Sequence, residues 1–156
     1  MKADHQAIEI VKYSDVYREQ LLDVWEKSVL ATHGFLSQTD FQEIKELLAT
    51  IDFNAFDVYC LLEAGKLIGF IGTANQKVEM LFLLPERIGI GLGRRLLNFA
   101  TRVLHANKVD VNEQNKKALE FYSKFGFEAY ERTDKDEQGR NYPLIRMVLK
   151  TEIPTR

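Results

Sequence analysis

Two groups of residues in this chain have types and spacings that could do chemistry. Gly89, Gly91 and Gly93 fall at alternate positions between the apolar run Met80-Leu81-Phe82-Leu83-Leu84 and a stretch in which Leu92, Leu96, Phe99, Ala100 and Val103 recur with helical period. The run is of strand length, and Pro85 stops it because proline offers no N–H to a neighbouring strand. Strand, glycine loop and helix together make a cradle for an anion. The first N–H groups of a helix lack partners, its dipole leaves that end partly positive, and glycines without a Cβ let a phosphate approach. Arg87, Arg94 and Arg95 add positive charge nearby. In the second group, Asn115, Ala118 and Tyr122 are spaced i, i+3, i+7, so they share a helix face, with Asn112 at the end of the strand before it. Amide donors and a phenol therefore converge beside the cradle. A phenol with an ordinary pKa of about 10 stays protonated at neutral pH and suits an acid. His33, with an ordinary pKa near 6.5, and the carboxylate Glu79 are of types that can take up a proton.

Two common phosphate loops do not fit. A P-loop ends in Gly-Lys-Ser/Thr, whereas Arg94-Arg95 follow Gly93. A dinucleotide fingerprint would put its third glycine at the position of Arg94.

The elements that must position these residues follow from patterning. Ala7 to Tyr13 alternates and predicts a first strand, and Ser14 is placed to cap a helix with Tyr17, Leu21, Val24, Trp25 and Val29 on one side. Thr39-Asp40-Phe41-Gln42 has the form of a capping box opening a helix with Phe41, Ile44, Leu47, Leu48 and Ile51 inward. Strands are predicted at Asp57 to Glu63 and Lys66 to Ala74, joined by a tight Ala64-Gly65 turn, and at Lys77 to Leu84. After the cradle helix come a strand over Lys108 to Asn112 and an amphipathic segment from Glu113 to Phe125 that Gly126 stops. Strands over Phe127 to Thr133 and Tyr142 to Leu149 flank a charged loop, DKDEQGRN, read as solvated. The pattern predicts one domain over residues 1–156 with a mixed α/β sheet.

The glycine loop resembles the acetyl-coenzyme A loop of the GCN5-related N-acetyltransferases, Arg/Gln-x-x-Gly-x-Gly/Ala, with Gly91 and Gly93 on its small positions. Its leading Arg/Gln position holds Ile88, the arginine standing one place earlier at Arg87. Asp110 to Phe127 resembles a second signature of that family, a strand ending in Asn followed by N-x-x-A-x-x-F-Y-x-x-x-G-F. Ala31 to Leu36 and Tyr142-Pro143-Leu144 extend the likeness, to a bacterial subgroup of small acetyltransferases, over nearly the whole chain. The resemblance implies a mostly antiparallel seven-stranded sheet with about four helices, its fourth and fifth strands splayed apart to admit the cofactor. It implies acetyl-CoA as co-substrate, held by Leu81, Phe82, Leu83, Ile88, Gly89, Ile90, Gly91, Leu92, Gly93 and Arg94, with Asn112, Asn115 and Tyr122 completing the site. Tyr122 would be the acid that protonates the leaving thiolate, and the base would be Glu79, His33 or an ordered water. Direct transfer to a small-molecule or protein amine is expected, because neither motif holds a nucleophile and Cys60 lies on another strand. The acceptor pocket is expected from residues 14–52, with Trp25, Tyr17 and Phe35 as core or pocket wall. A second reading, favoured by Ile88, is an acyl-CoA-binding sensor or interaction module with weak transfer activity.

Composition agrees with this class. At 156 residues, 46% hydrophobic and 28% charged, the chain can bury a sizeable core. A net charge of −2 disfavours a nucleic-acid partner. No apolar run reaches membrane-span length and MKADHQAIEI lacks a signal-peptide core, which points to the cytoplasm. A single cysteine, Cys60, allows no disulfide within the chain, and no metal site is read. His5 and His105 are expected to be exposed, and the oligomeric state to be monomer or homodimer.

Overall fold

The computed structural model describes residues 8–150, so His5 and the first residues lie outside it. A seven-stranded sheet is flanked by four helices in the order β1 (Ile8–Lys12), α1 (Arg18–Thr32), α2 (Gln38–Leu48), β2 (Asp57–Glu63), β3 (Lys66–Ala74), β4 (Lys77–Leu83), α3 (Leu92–Arg102), β5 (Lys108–Asn112), α4 (Lys116–Phe125), β6 (Phe127–Thr133) and β7 (Leu144–Leu149). In space the strands run β1-β2-β3-β4-β5-β7-β6. All pairings are antiparallel except β4–β5, which are parallel and connected through α3.

That parallel pair separates early. Only Lys77↔Lys108 and Val78↔Val109 are in register. Beyond them β4 runs on beside β3 alone and β5 beside β7 alone, which leaves two facing strand edges open. The separation begins where β4 carries one residue too many: Gly72 lies opposite Met80 and Thr73 opposite Val78, so Glu79 is a bulge. A bulge bends its strand and sharpens its twist, which turns β4 away from β5.

Neighbouring residues of β4 then serve the two layers. Phe82 faces the α1 side, its ring 6.3 Å from that of His33. Leu83 faces the α3 and α4 side, where a Cβ at Gly93 would lie 3.6 Å from Leu83 and 3.4 Å from Phe121. The core runs through both layers, with Leu21, Val24 and Trp25 on one side and Leu92, Leu96, Leu97 and Ala100 on the other.

Several local expectations shift. Ser14 precedes only a 3-10 turn at Asp15–Tyr17, and α1 begins at Arg18. The cap of α2 is Ser37, whose side chain accepts the Asp40 N–H at 3.0 Å, rather than the Thr39 box. Leu47 and Val103 are exposed rather than inward. Helix α4 starts three residues later than its amphipathic pattern, because Asn115 caps it and accepts the Ala118 N–H at 3.2 Å. Strand β7 begins at Leu144, after Pro143. The Ala64-Gly65 turn has positive φ at both residues (50° and 82°), the conformation of a two-residue hairpin.

Candidate functional site

Three features meet around the open β4 and β5 edges. The first is the cradle. Gly89 and Gly91 have φ of 88° and 92°, a region side-chain-bearing residues avoid, and Gly91 is the N-cap of α3 with no side chain capping that helix. The N–H groups of its first turn are therefore left for an anion. A Cβ added at Gly89 or Gly91 would meet nothing, whereas one at Gly93 would touch the Phe121 ring at 3.4 Å, an ordinary van der Waals contact. Each of the surrounding arginines has a partner, though only Arg87 is paired with a carboxylate. Arg87 donates through Nε to Glu63 at 2.9 Å, Arg95 donates to the Ile8 carbonyl at 3.1 Å, and Arg94 lies over the Phe125 ring at 5.5 Å. Ile88 and Ile90 are 45% and 65% exposed.

The second feature is Tyr122. It is 7% exposed, with its ring edge-on to Phe121 at 5.0 Å and to Phe127 at 5.6 Å. Its hydroxyl makes no hydrogen bond among the described residues yet is not one of the occluded, unpartnered polar atoms, so it opens onto accessible space. Burial raises its pKa, and the phenol stays protonated throughout the neutral range. Glu79 stands at the bulge where the strands part. The residue as a whole is exposed, but partial desolvation raises its carboxyl, Lys77 opposes that, and the Glu137 and Asp110 carboxylates add to the rise. Below it, Lys77 Nζ pairs with Asp110 at 2.6 Å and Glu137 at 3.2 Å, and Arg146 pairs with Asp110 at 3.0 Å.

The third feature is a cavity of about 160 Å³ lined by Trp25, Val29, His33, Leu36, Ile44, Phe82, Asn112, Asp136 and Tyr142. Five of these nine belong to residues 14–52. His33 is half-buried, its Nδ1 2.7 Å from the Thr32 hydroxyl, and burial lowers its pKa to about 4. Its imidazole is therefore neutral at pH 7. Phe35 lies 5.2 Å from the His33 ring and 6.0 Å from that of Tyr142, while Tyr17 packs partly buried against the core.

The charged loop between β6 and β7 is not simply solvated, and its part in the site escaped sequence reasoning. It crosses onto α2. Arg140 pairs with Asp40 at 3.6 Å and Glu43 at 3.2 Å, Tyr142 donates its hydroxyl to Asp40, and the Ser37 N–H donates to Tyr142 at 3.2 Å. The sequence signal was present only as Tyr142-Pro143, which identifies no partner. Asn115 spends its side-chain oxygen on the α4 cap, leaving only its amide N–H₂ for a ligand. Cys60 is fully buried in β2 and its thiol is pushed up to about 12, so it supplies no thiolate. No helix is long and apolar enough to cross a membrane, and no cluster of three metal-ligating side chains occurs, among the described residues.

An uncapped glycine-loop helix beside two parted strands is the architecture of a coenzyme A-dependent acetyltransferase, and the chain belongs to the GNAT acetyltransferase family, whose acetyltransferase (GNAT) domain model matches residues 14–151. The chain is 34% identical over 129 residues to the peptidyl-lysine N-acetyltransferase YjaB of Escherichia coli, covering 83% of this chain and 88% of that one. It is 32% identical over 130 residues to YjaB of Salmonella typhimurium, covering 83% and 90%. The solution structure of apo-form YjaB from Escherichia coli superposes with a TM-score of 0.82 at 32% identity, over 90% of this chain and 96% of that one. The PaiA N-acetyltransferase of Thermoplasma acidophilum, solved in complex with coenzyme A, superposes at 0.68 with 27% identity, over 92% and 99%. The protein is an acetyl-CoA-dependent N-acetyltransferase. The residues present fit that co-substrate: free N–H groups and open loop space for its pyrophosphate, and two unpaired strand edges for its amide-bearing arm.

Proposed function

We propose that the acceptor is the side-chain amine of a lysine, in a protein or peptide. The cavity carries this reading. At about 160 Å³ it is well below the ~300–1,000 Å³ of pockets for drug-sized ligands, and its walls are mostly apolar. Such a slot suits one unbranched alkylamine and excludes a bulky polycyclic amine. The name of the YjaB relatives, peptidyl-lysine N-acetyltransferase, supports the same class.

Acetyl-CoA supplies the activated acetyl group as a thioester. In this reading the backbone of Leu81, Phe82 and Leu83 and of the loop from Ile88 to Arg94 holds it, with Asn112 and the Asn115 amide on the opposite side. Glu79 is the base, directly or through one water. It stands where the strands part, and its raised pKa makes it a better proton acceptor than an ordinary carboxylate. His33, lowered to about 4, is a poor acceptor and serves as neutral cavity wall. Tyr122, protonated and without a partner, donates to the leaving sulfur. No acyl-enzyme forms, since the buried Cys60 thiol is out of reach of the chemistry.

The test is to incubate the protein with acetyl-CoA and a panel of lysine peptides and small amines, reading thiol release and the acetylated product by mass. Lysine peptides should be acetylated on the side chain. Transfer confined to bulky aromatic amines or aminoglycosides would overturn the acceptor reading. Glu79→Gln should slow turnover more at pH 7 than at pH 9, where more of the amine is already neutral; an unchanged pH profile would assign the base elsewhere.

A further inference from the structure

The β6–β7 loop carries a charge into the acceptor cavity. Trp25, Val29, Leu36, Ile44 and Phe82 are apolar and Asn112, Tyr142 and, at pH 7, His33 neutral, which leaves Asp136 as the one carboxylate in the lining. It is held firmly. Its Oδ1 accepts the N–H groups of Gln138 at 3.0 Å and Arg140 at 2.8 Å, while Oδ2 has no hydrogen-bond partner among the described residues. The loop is tied down on both flanks, by Arg140 to Asp40 and Glu43 of α2 and by Glu137 to Lys77 at the base of the splay. A half-buried carboxylate with one free oxygen, among apolar walls, attracts a cation more strongly than an exposed one.

We propose that Asp136 is a specificity-determining residue that captures the ammonium form of the incoming amine and so selects alkylammonium acceptors over uncharged ones. The inference rests on the lysine-acceptor reading. Asp136 attracts the acceptor as the ammonium, and attracts it again as the nitrogen regains positive charge on attacking the thioester carbonyl, so ground and transition states share the stabilisation. Its contribution therefore belongs in KM and not in kcat.

Asp136→Asn separates charge from structure, because the amide oxygen can still accept both N–H groups of the turn. With a lysine peptide as acceptor, KM should rise about tenfold, the scale of one charge-assisted hydrogen bond, with kcat changing less than about twofold. The same peptide already acetylated keeps the shape and loses the charge; as a product inhibitor it should bind wild-type and Asp136→Asn protein alike. The acetyl-CoA-induced rise in melting temperature should be the same in both, showing an intact fold and cradle. An unchanged KM, or a parallel loss of affinity for charged and acetylated peptides, would overturn the role of Asp136 while leaving the acceptor reading in place. Wild-type protein that acetylates no lysine peptide would overturn both.

Discussion

At the scale of single residues, the site depends on groups whose surroundings set their protonation. Tyr122 is kept neutral by burial and its hydroxyl has no partner to lose, so Tyr122→Phe leaves the ring packing on Phe121 and Phe127 intact. Stability should change little. Turnover should fall on the order of 10²-fold, the usual contribution of a positioned acid, while acetyl-CoA affinity falls far less. Activity assays and calorimetry on one Tyr122→Phe preparation check this; wild-type turnover would remove the acid role. His33 makes a different prediction. Its folded pKa of about 4 lies below the ordinary 6.5, so between those values the unfolded chain binds more protons. The contribution is complete above pH 6.5 and is lost as pH falls toward 4, amounting to about 2 kcal/mol already at pH 5. Urea midpoints at pH 7.5 and 5 should therefore move further apart for wild type than for His33→Gln. Equal separations would mean that the imidazole is not desolvated.

At the scale of elements, the legible and illegible parts of the site separate cleanly. Strands β2, β3, β5 and β6 begin and end where their patterns do, because apolar residues of the right period are bounded by turns, glycine or a helix cap. The cradle was legible for the same reason: Gly89 and Gly91 are required by positive φ, a local property of the chain. The fates of Arg87, Arg94 and Arg95 were not. Each is taken by a partner distant in sequence, Glu63, Phe125 and Ile8 respectively. The charged loop failed for that reason too, since Arg140 finds Asp40 and Glu43 about a hundred residues upstream. The cap of α2 shifted because Ser37 and Thr39 both suit the position, and Ser37 reaches the Asp40 N–H. A prediction belongs here. Gly91→Ala should cost about 1 kcal/mol through its positive φ and still respond to acetyl-CoA, while Gly91→Glu, which adds a negative charge to the cradle, should abolish the response. Thermal shifts with and without acetyl-CoA distinguish the two; a full shift in folded Gly91→Glu would move the pyrophosphate elsewhere.

At the scale of the whole molecule, one departure from regularity organises the rest. The Glu79 bulge ends β4–β5 pairing after two residue pairs, and the parted edges lie between the α3 cradle and the cavity beneath α1 and α2. In the proposed reading the two substrates thereby approach from different layers. Because acetyl-CoA binds the folded state, a hundredfold excess over Kd should add about 2.7 kcal/mol, a rise in melting temperature of roughly 5–10 °C for a domain of this size. Where that stabilisation arises is the central claim, and amide hydrogen exchange with and without saturating acetyl-CoA reads it directly. Slowed exchange is expected in residues 88–95 and along the facing edges of β4 beyond Glu79 and of β5 from Asp110 to Asn112, with β1, β2 and β6 unchanged. A melting shift accompanied by protection confined to other segments, with the loop and both open edges exchanging as before, would contradict it.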